Sequence, residues 1–205
     1  MLCYGDSNTW GYVPGSTRER FPRDARWTTR LARGLGDDWD VVVEGLNGRT
    51  ATLDSPTSEG RNGLAYLRPC LESHMPVDVV VLFLGTNDVF DRYSLPAADV
   101  AYAVALLVRA IQTSETGPGG GSPKVLVVCP PPFGSDDPDD GFTGAAEKTA
   151  RLGRLFAEVC AERGCELLDL DGVASYSPLD GHHLDTAGHA AVAVAVEQRV
   201  RGLAG

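Results

Sequence analysis

The sequence has no surplus of positive charge. Lys and Arg together number 18 against 28 Asp and Glu, which leaves a net charge of −10 at pH 7. Such a surface repels a phosphate backbone, so nucleic acid is not an expected partner. Anionic membrane is excluded on the same ground. Long apolar runs are also missing: nothing approaches the ~18 consecutive apolar residues of a membrane helix. A charged residue, Asp6, comes too early for a signal peptide. The five cysteines are odd in number and include no C-x-x-C pair. Reduced, mostly buried thiols are therefore expected, and with them a cytoplasmic location. Repeats and a domain boundary are absent too. A single domain over residues 1–205 is expected, with 43% hydrophobic residues to build its core.

What is present is an alternation of apolar runs and helical patterns. Strands are expected at Met1–Tyr4, Val41–Glu44, Val77–Leu84, Lys124–Cys129 and Cys165–Leu170. VDVVVLFLG is apolar on both faces, as a central parallel strand should be. Asp24 is expected to cap a helix in which Trp27, Leu31 and Leu35 recur every four residues, ending at Gly36. Further helices are expected at Leu64–His74, Ala97–Thr113, Ala145–Arg163 with Thr143 as cap, and Thr186–Arg201 entered through Asp185. TWGYVPGSTRERFPRD, the flexible connector 116–122 and the acidic, Pro-rich segment 130–141 read as loops. The alternation predicts a three-layer α/β/α sandwich of flavodoxin-like type with five parallel strands. In such sheets, chemistry lies beyond the carboxyl ends of the strands.

Those ends carry a coherent set of residues. Gly5-Asp6-Ser7-Asn8 follows the first strand, and Asn47-Gly48-Arg49-Thr50 lies beyond the second. Gly85-Thr86-Asn87-Asp88 follows the third, and Asp180-Gly181-His182-His183 precedes the last helix. A serine hydroxyl needs a base to become a nucleophile. His183 is the candidate base, and Asp180, three residues earlier, is placed to hold its other ring nitrogen. A tetrahedral intermediate needs donors for its oxyanion: the N–H groups of Ser7 and Gly48 and the Asn87 amide are the candidates. Asn8, Trp10 and Asn47 are expected to line the substrate pocket.

GDSN, Gly48, GTND and DGHH, in that order, resemble the blocks of the SGNH hydrolases, also called the GDSL esterase/lipase family. GDSNTWGYVP, GLNGRT, LGTNDVF and KVLVVCPPP resemble its mycobacterial arylesterase/acyltransferase branch in particular. The resemblance spans essentially the whole chain. It implies a serine esterase for short-chain aryl or alkyl esters, with water or an alcohol as acceptor and no cofactor. For some members it also implies acyl transfer to alcohols or peroxide, and assembly as a homo-oligomer. Position 8 is Asn where the family name has Leu, and Gly48 stands where the branch can carry Ala. Ser-Asp-Asp-Pro-Asp-Asp-Gly replaces a longer apolar segment that shapes the branch's substrate channel and subunit contacts. That acidic loop would suit an acetylated sugar, so a sugar deacetylase is the alternative. The G-x-S-x-G elbow of the α/β-hydrolases is missing.

Each block also has an ordinary reading. GDSN alone is a common turn. DGHHLD could hold a metal, but adjacent histidines point differently and the other two, His74 and His189, lie elsewhere, so no metal site is expected. His182 reads as a neighbour of the site, and Asp185 as a helix cap. Asp88 would shape its loop by accepting backbone N–H groups. Trp27, Trp39 and Cys129 read as packing. A non-catalytic binding module on the same fold would predict a broken block, and none is broken.

Overall fold

The computed structural model describes residues 1–137 and 139–204. Five strands form one parallel sheet: β1 (Leu2–Gly5), β2 (Val42–Gly45), β3 (Val79–Phe83), β4 (Lys124–Cys129) and β5 (Glu166–Asp169). Their order is β2-β1-β3-β4-β5, the flavodoxin-like arrangement. The central strands β1 and β3 are buried along their whole length, which is why their sequences are apolar without alternation. Of the helices, α1 (Ser7–Trp10) is a single turn and α2 (Trp27–Leu35) packs on α7 (Thr186–Ala204). On the other face α4 (Ala97–Gln112) packs between α3 (Gly63–His74) and α6 (Leu152–Arg163). A short α5 (Ala145–Ala150) precedes α6. No helix is long and apolar enough to cross a membrane among the described residues.

The layers close over the expected core. Trp27 is fully buried, and so is its neighbour at helical spacing, Leu31. Trp39 packs at the core edge. All five cysteines are free thiols, and burial raises Cys3 and Cys70 to about 12. Asp185 caps α7 as expected, accepting from Gly188 N–H at 2.8 Å.

Several local expectations are corrected. Asp24 caps nothing; it lies in a 3-10 turn, Arg23–Ala25, and α2 starts after Arg26 without a side-chain cap. The 145–163 helix is broken at Arg151 into α5 and α6. Thr143 is not its cap, because Gly144 takes the cap position in a left-handed conformation. The cap bonds come instead from Asp136, whose carboxylate accepts from Gly144 N–H at 2.7 Å and Ala146 N–H at 3.0 Å. The acidic segment is thus irregular but anchored, with Phe133 and Phe142 buried beneath it. Pro138 lies outside the described residues. The connector 116–122 is not slack either: it closes on itself from Gly117 N–H to Gly121 C=O at 2.7 Å, and Thr116 C=O receives Val77 N–H at 2.8 Å.

Candidate active site

The sheet order reverses direction around β1, with β2 on one side and β3 on the other. A parallel sheet opens a crevice at such a point, beyond the strand ends. Ser7 stands there as the first residue of α1. Asp6 makes the turn possible, since its Oδ1 accepts Asn8 N–H at 2.8 Å, a side-chain N-cap. Gly11, at φ 92, ends the turn in a left-handed conformation. The GDSN stretch is therefore a turn, and a helical one, that lifts Ser7 above the sheet.

Two glycines let α1 lie this close to the strands. A Cβ on Gly45 would sit 2.3 Å from Trp10 N, and one on Gly5 would sit 2.1 Å from Thr9 Oγ1. Neither distance is sterically possible without movement. Gly48 is a different case. Among the described residues a Cβ there would meet only Arg61, at 3.7 Å, but its φ is 73, so it is the backbone conformation that favours glycine.

His183 Nε2 lies 3.0 Å from Ser7 Oγ, and its Nδ1 lies 2.9 Å from Asp180 Oδ2. The three side chains form one hydrogen-bonded chain, with Ser7 and His183 buried. Asp180 is held from several sides: Oδ2 also accepts Gly15 N–H at 2.9 Å, and Oδ1 accepts His183 N–H at 3.1 Å. Burial raises the Asp180 carboxyl, but the hydrogen bonds from His183 and Gly15 outweigh it and hold it below the usual carboxylate range. With an ionised carboxylate on Nδ1, the imidazole keeps its proton there and offers Nε2 as acceptor to the serine hydroxyl. Asp180, His182 and His183 have ligand atoms close enough for an ion. The Asp180 carboxylate, however, is already taken up by these N–H donors.

Ser7 and Gly48 both line the cleft, and their backbone N–H groups make no hydrogen bond among the described residues. Asn87 Nδ2 donates to Arg49 C=O at 3.0 Å and, at a longer 3.3 Å, to Asp6 Oδ2. Beneath it Asp88 accepts Ala51 N–H through both oxygens, at 2.9 and 3.1 Å, which fixes the loop after β3. Burial raises Asp6 to about 6 and Asp88 to about 7.

The cleft over Ser7 has a volume of about 310 Å³ and includes Asn47, Gly48, Asn87, His182 and His183 in its walls. Two residues expected in the pocket do not line it. Asn8 is engaged below: its Oδ1 accepts Leu184 N–H at 2.9 Å and its Nδ2 donates to His182 C=O at 3.2 Å. Trp10 is turned away and covered by the Arg20 guanidinium, 4.7 Å from its ring centre. The left-handed turn at Gly11 brings Tyr12 into the wall instead, stacked on the His183 ring at 4.3 Å.

Residues 3–191 match the model of the GDSL-like lipase/acylhydrolase family. The chain belongs to that family. Its structure is similar to the native aryl esterase of M. smegmatis, with 39% identity, a TM-score of 0.93 and 98% of each chain covered. It is also similar to Est24, a carbohydrate acetylesterase from Sinorhizobium meliloti, with 35% identity, a TM-score of 0.93 and 98% of each chain covered. No curated protein sequence matches it. This GDSL-family protein is a carboxylic ester hydrolase.

Three contributors to the GDSL-family cleft escaped the sequence reading. Tyr12 was hidden in a loop that offered only mixed composition as a signal. Arg49 is buried, donates to Gly5 C=O at 2.9 Å and to Glu44 C=O, and covers the Tyr4 ring at 4.1 Å. It ties the ends of β1 and β2 together under the site, and the unusual signal was an Arg between two apolar-flanked turns. The third contributor is a set of arginines in the cleft lining, Arg18, Arg61 and Arg92.

Proposed function

We propose that the protein cleaves small acyl esters through an acyl-enzyme on Ser7. The observation that carries this reading is the Ser7–His183–Asp180 chain, at 3.0 and 2.9 Å, opening on a cleft. Ser7 Oγ attacks the ester carbonyl carbon as His183 Nε2 takes the hydroxyl proton. The carbonyl oxygen becomes an oxyanion, received by the N–H groups of Ser7 and Gly48 and by Asn87. The long 3.3 Å contact from Asn87 to Asp6 is the one the oxyanion would replace. The imidazolium, balanced by Asp180, then protonates the leaving alcohol as the carbon–oxygen bond breaks. Water repeats the cycle and releases the acid. An alcohol in place of water would give transfer through the same intermediate.

A fluorophosphonate should label Ser7 covalently in the wild type and leave Ser7→Ala unlabelled. The same variant should lose turnover of p-nitrophenyl acetate. Full activity in Ser7→Ala would overturn the assignment. Absence of any label on the wild type would instead favour a binding module.

A second reading, removal of acetyl groups from sugars, is favoured by the hydroxyl-rich cleft wall at Ser55, Thr57 and Ser58 and by the similarity to Est24. Relative rates on acetylated sugars and phenyl acetate, with and without added alcohol, distinguish the substrates and measure transfer.

A further inference from the structure

The cleft over Ser7 has a charge opposite to that of the molecule. Among the described residues its lining includes Arg18, Arg61 and Arg92 and no aspartate or glutamate, in a chain whose net charge is −10. The three arginines come from three separate segments: the loop after α1, the loop after β2 and the turn after β3. None of them forms an ion pair among the described residues, although arginines elsewhere do. Arg61 lies alongside Gly48 and, among the described residues, its guanidinium donates only to Glu59 C=O, at 3.0 Å. Arg92 rests over the Phe90 ring at 4.2 Å and reaches Thr57 Oγ1 at 3.4 Å. Arg18 is held at φ 114, a left-handed conformation that a non-glycine residue rarely adopts.

Glu19, Glu59 and Asp91 lie close to these arginines in sequence, but they do not line the cleft and no carboxylate pairs with Arg18, Arg61 or Arg92 among the described residues. Asp6 and Asp88 are fully buried beneath the floor, and Asp180 is bonded to His183. Asp140 is near enough to influence His182 but is not in the lining. A guanidinium stays charged at any working pH and presents a fork of donors that matches carboxylate, sulfate and phosphate oxygens. Like charges gathered in a concave site focus the field and draw anions in.

We propose that the ester taken by this cleft carries an anionic group, a carboxylate, sulfate or phosphate, bound by Arg18, Arg61 and Arg92. The proposal rests on the esterase reading and refines it: among acylated sugars, for example, it selects acidic over neutral ones. Its chemistry is the hydrolysis already described; the arginines hold the substrate and take no part in bond making.

The test compares matched esters, each rate corrected for spontaneous hydrolysis. For an anionic leaving group the pair is p-carboxyphenyl acetate and its methyl ester. For an anionic acyl group it is the p-nitrophenyl monoester of glutaric acid and p-nitrophenyl butyrate. At low ionic strength kcat/KM should favour the anion in at least one pair by about tenfold or more, the sum of three weakly screened contacts. About 0.5 M salt should bring the ratio towards one. Arg18→Gln/Arg61→Gln/Arg92→Gln should do the same, and because the ratio is taken within each protein, a general loss of activity cancels. Equal rates for both members of both pairs in the wild type, unmoved by salt, would overturn the proposal. If that happens while the fluorophosphonate still labels Ser7, the esterase reading stands and only the anion preference falls. With no ester turned over and no label on Ser7, the esterase reading itself falls. A variant that does not fold leaves the wild-type salt series to decide.

Discussion

Asn8 joins the two ends of the chain at the candidate site. Its amide bridges Leu184 N–H and His182 C=O, the residues on either side of His183, while its own C=O accepts the Trp27 indole N–H at 3.1 Å. The serine turn and the histidine loop are therefore tied directly, 174 and 176 positions apart. Asn8→Ala would leave a buried N–H at Leu184 unpaired, a loss of about 1–3 kcal/mol. A small drift of His183 from Ser7 also weakens proton transfer steeply. The expected outcome is a lower Tm and kcat reduced about tenfold or more, with KM little changed. Loss of Tm with kcat intact would mean that the tie serves folding only. The residues around Ser7, Asn87, Asp180 and His183 were legible because each block is short and local. The work of Asn8 was not, because its partners lie at the far end of the sequence. Tyr12 was missed for a related reason: its place depends on the backbone direction set by Gly11.

At the scale of elements, the decisive contact is between a one-turn helix and a strand. The backbone of α1 at Trp10 lies against Gly45 at the end of β2, with no room for a methyl group. Gly45→Ala would push α1 outward and carry Ser7 with it. Overpacking of this kind costs about 1–3 kcal/mol, which the sheet should survive, while the Ser7–His183 distance should not. Thermal unfolding and fluorophosphonate labelling measured together check this: labelling should slow far more than Tm falls. Equal labelling rates would show that α1 can shift without consequence. Strands and long helices were readable because their patterns repeat and their burial is continuous. Helix starts were less so. Thr143 and Asp24 have the right chemistry for caps, but the α5 cap bonds come from Asp136, across a loop that folds back. A cap reaching from eight residues away leaves no mark at the helix start itself.

For the whole molecule, the response to acid depends on groups buried with opposite preferences. His189, on α7, is fully buried; its Nδ1 accepts Trp27 N–H at 3.3 Å, while Nε2 has no partner among the described residues. Burial, with the nearby Arg30 charge, lowers its pKa from 6.5 to about 4. A base whose folded pKa is depressed binds fewer protons when folded. Stability is thus full above the unfolded pKa and falls as pH drops from 6.5 to about 4, by roughly 3 kcal/mol at about 1.4 kcal/mol per pH unit. Asp6 and Asp88 act the other way. Burial raises both above the ordinary 3.8, so the folded state holds more protons there and gains on acidification over the same interval. The wild-type curve is therefore flatter than any single group implies, and a comparison with His189→Gln isolates the histidine. Denaturant unfolding of both proteins at pH 7 and pH 4 should show the wild type losing about 3 kcal/mol relative to the variant. A difference that stays constant between the two pH values would mean that His189 takes up its proton without opening the contact between α2 and α7.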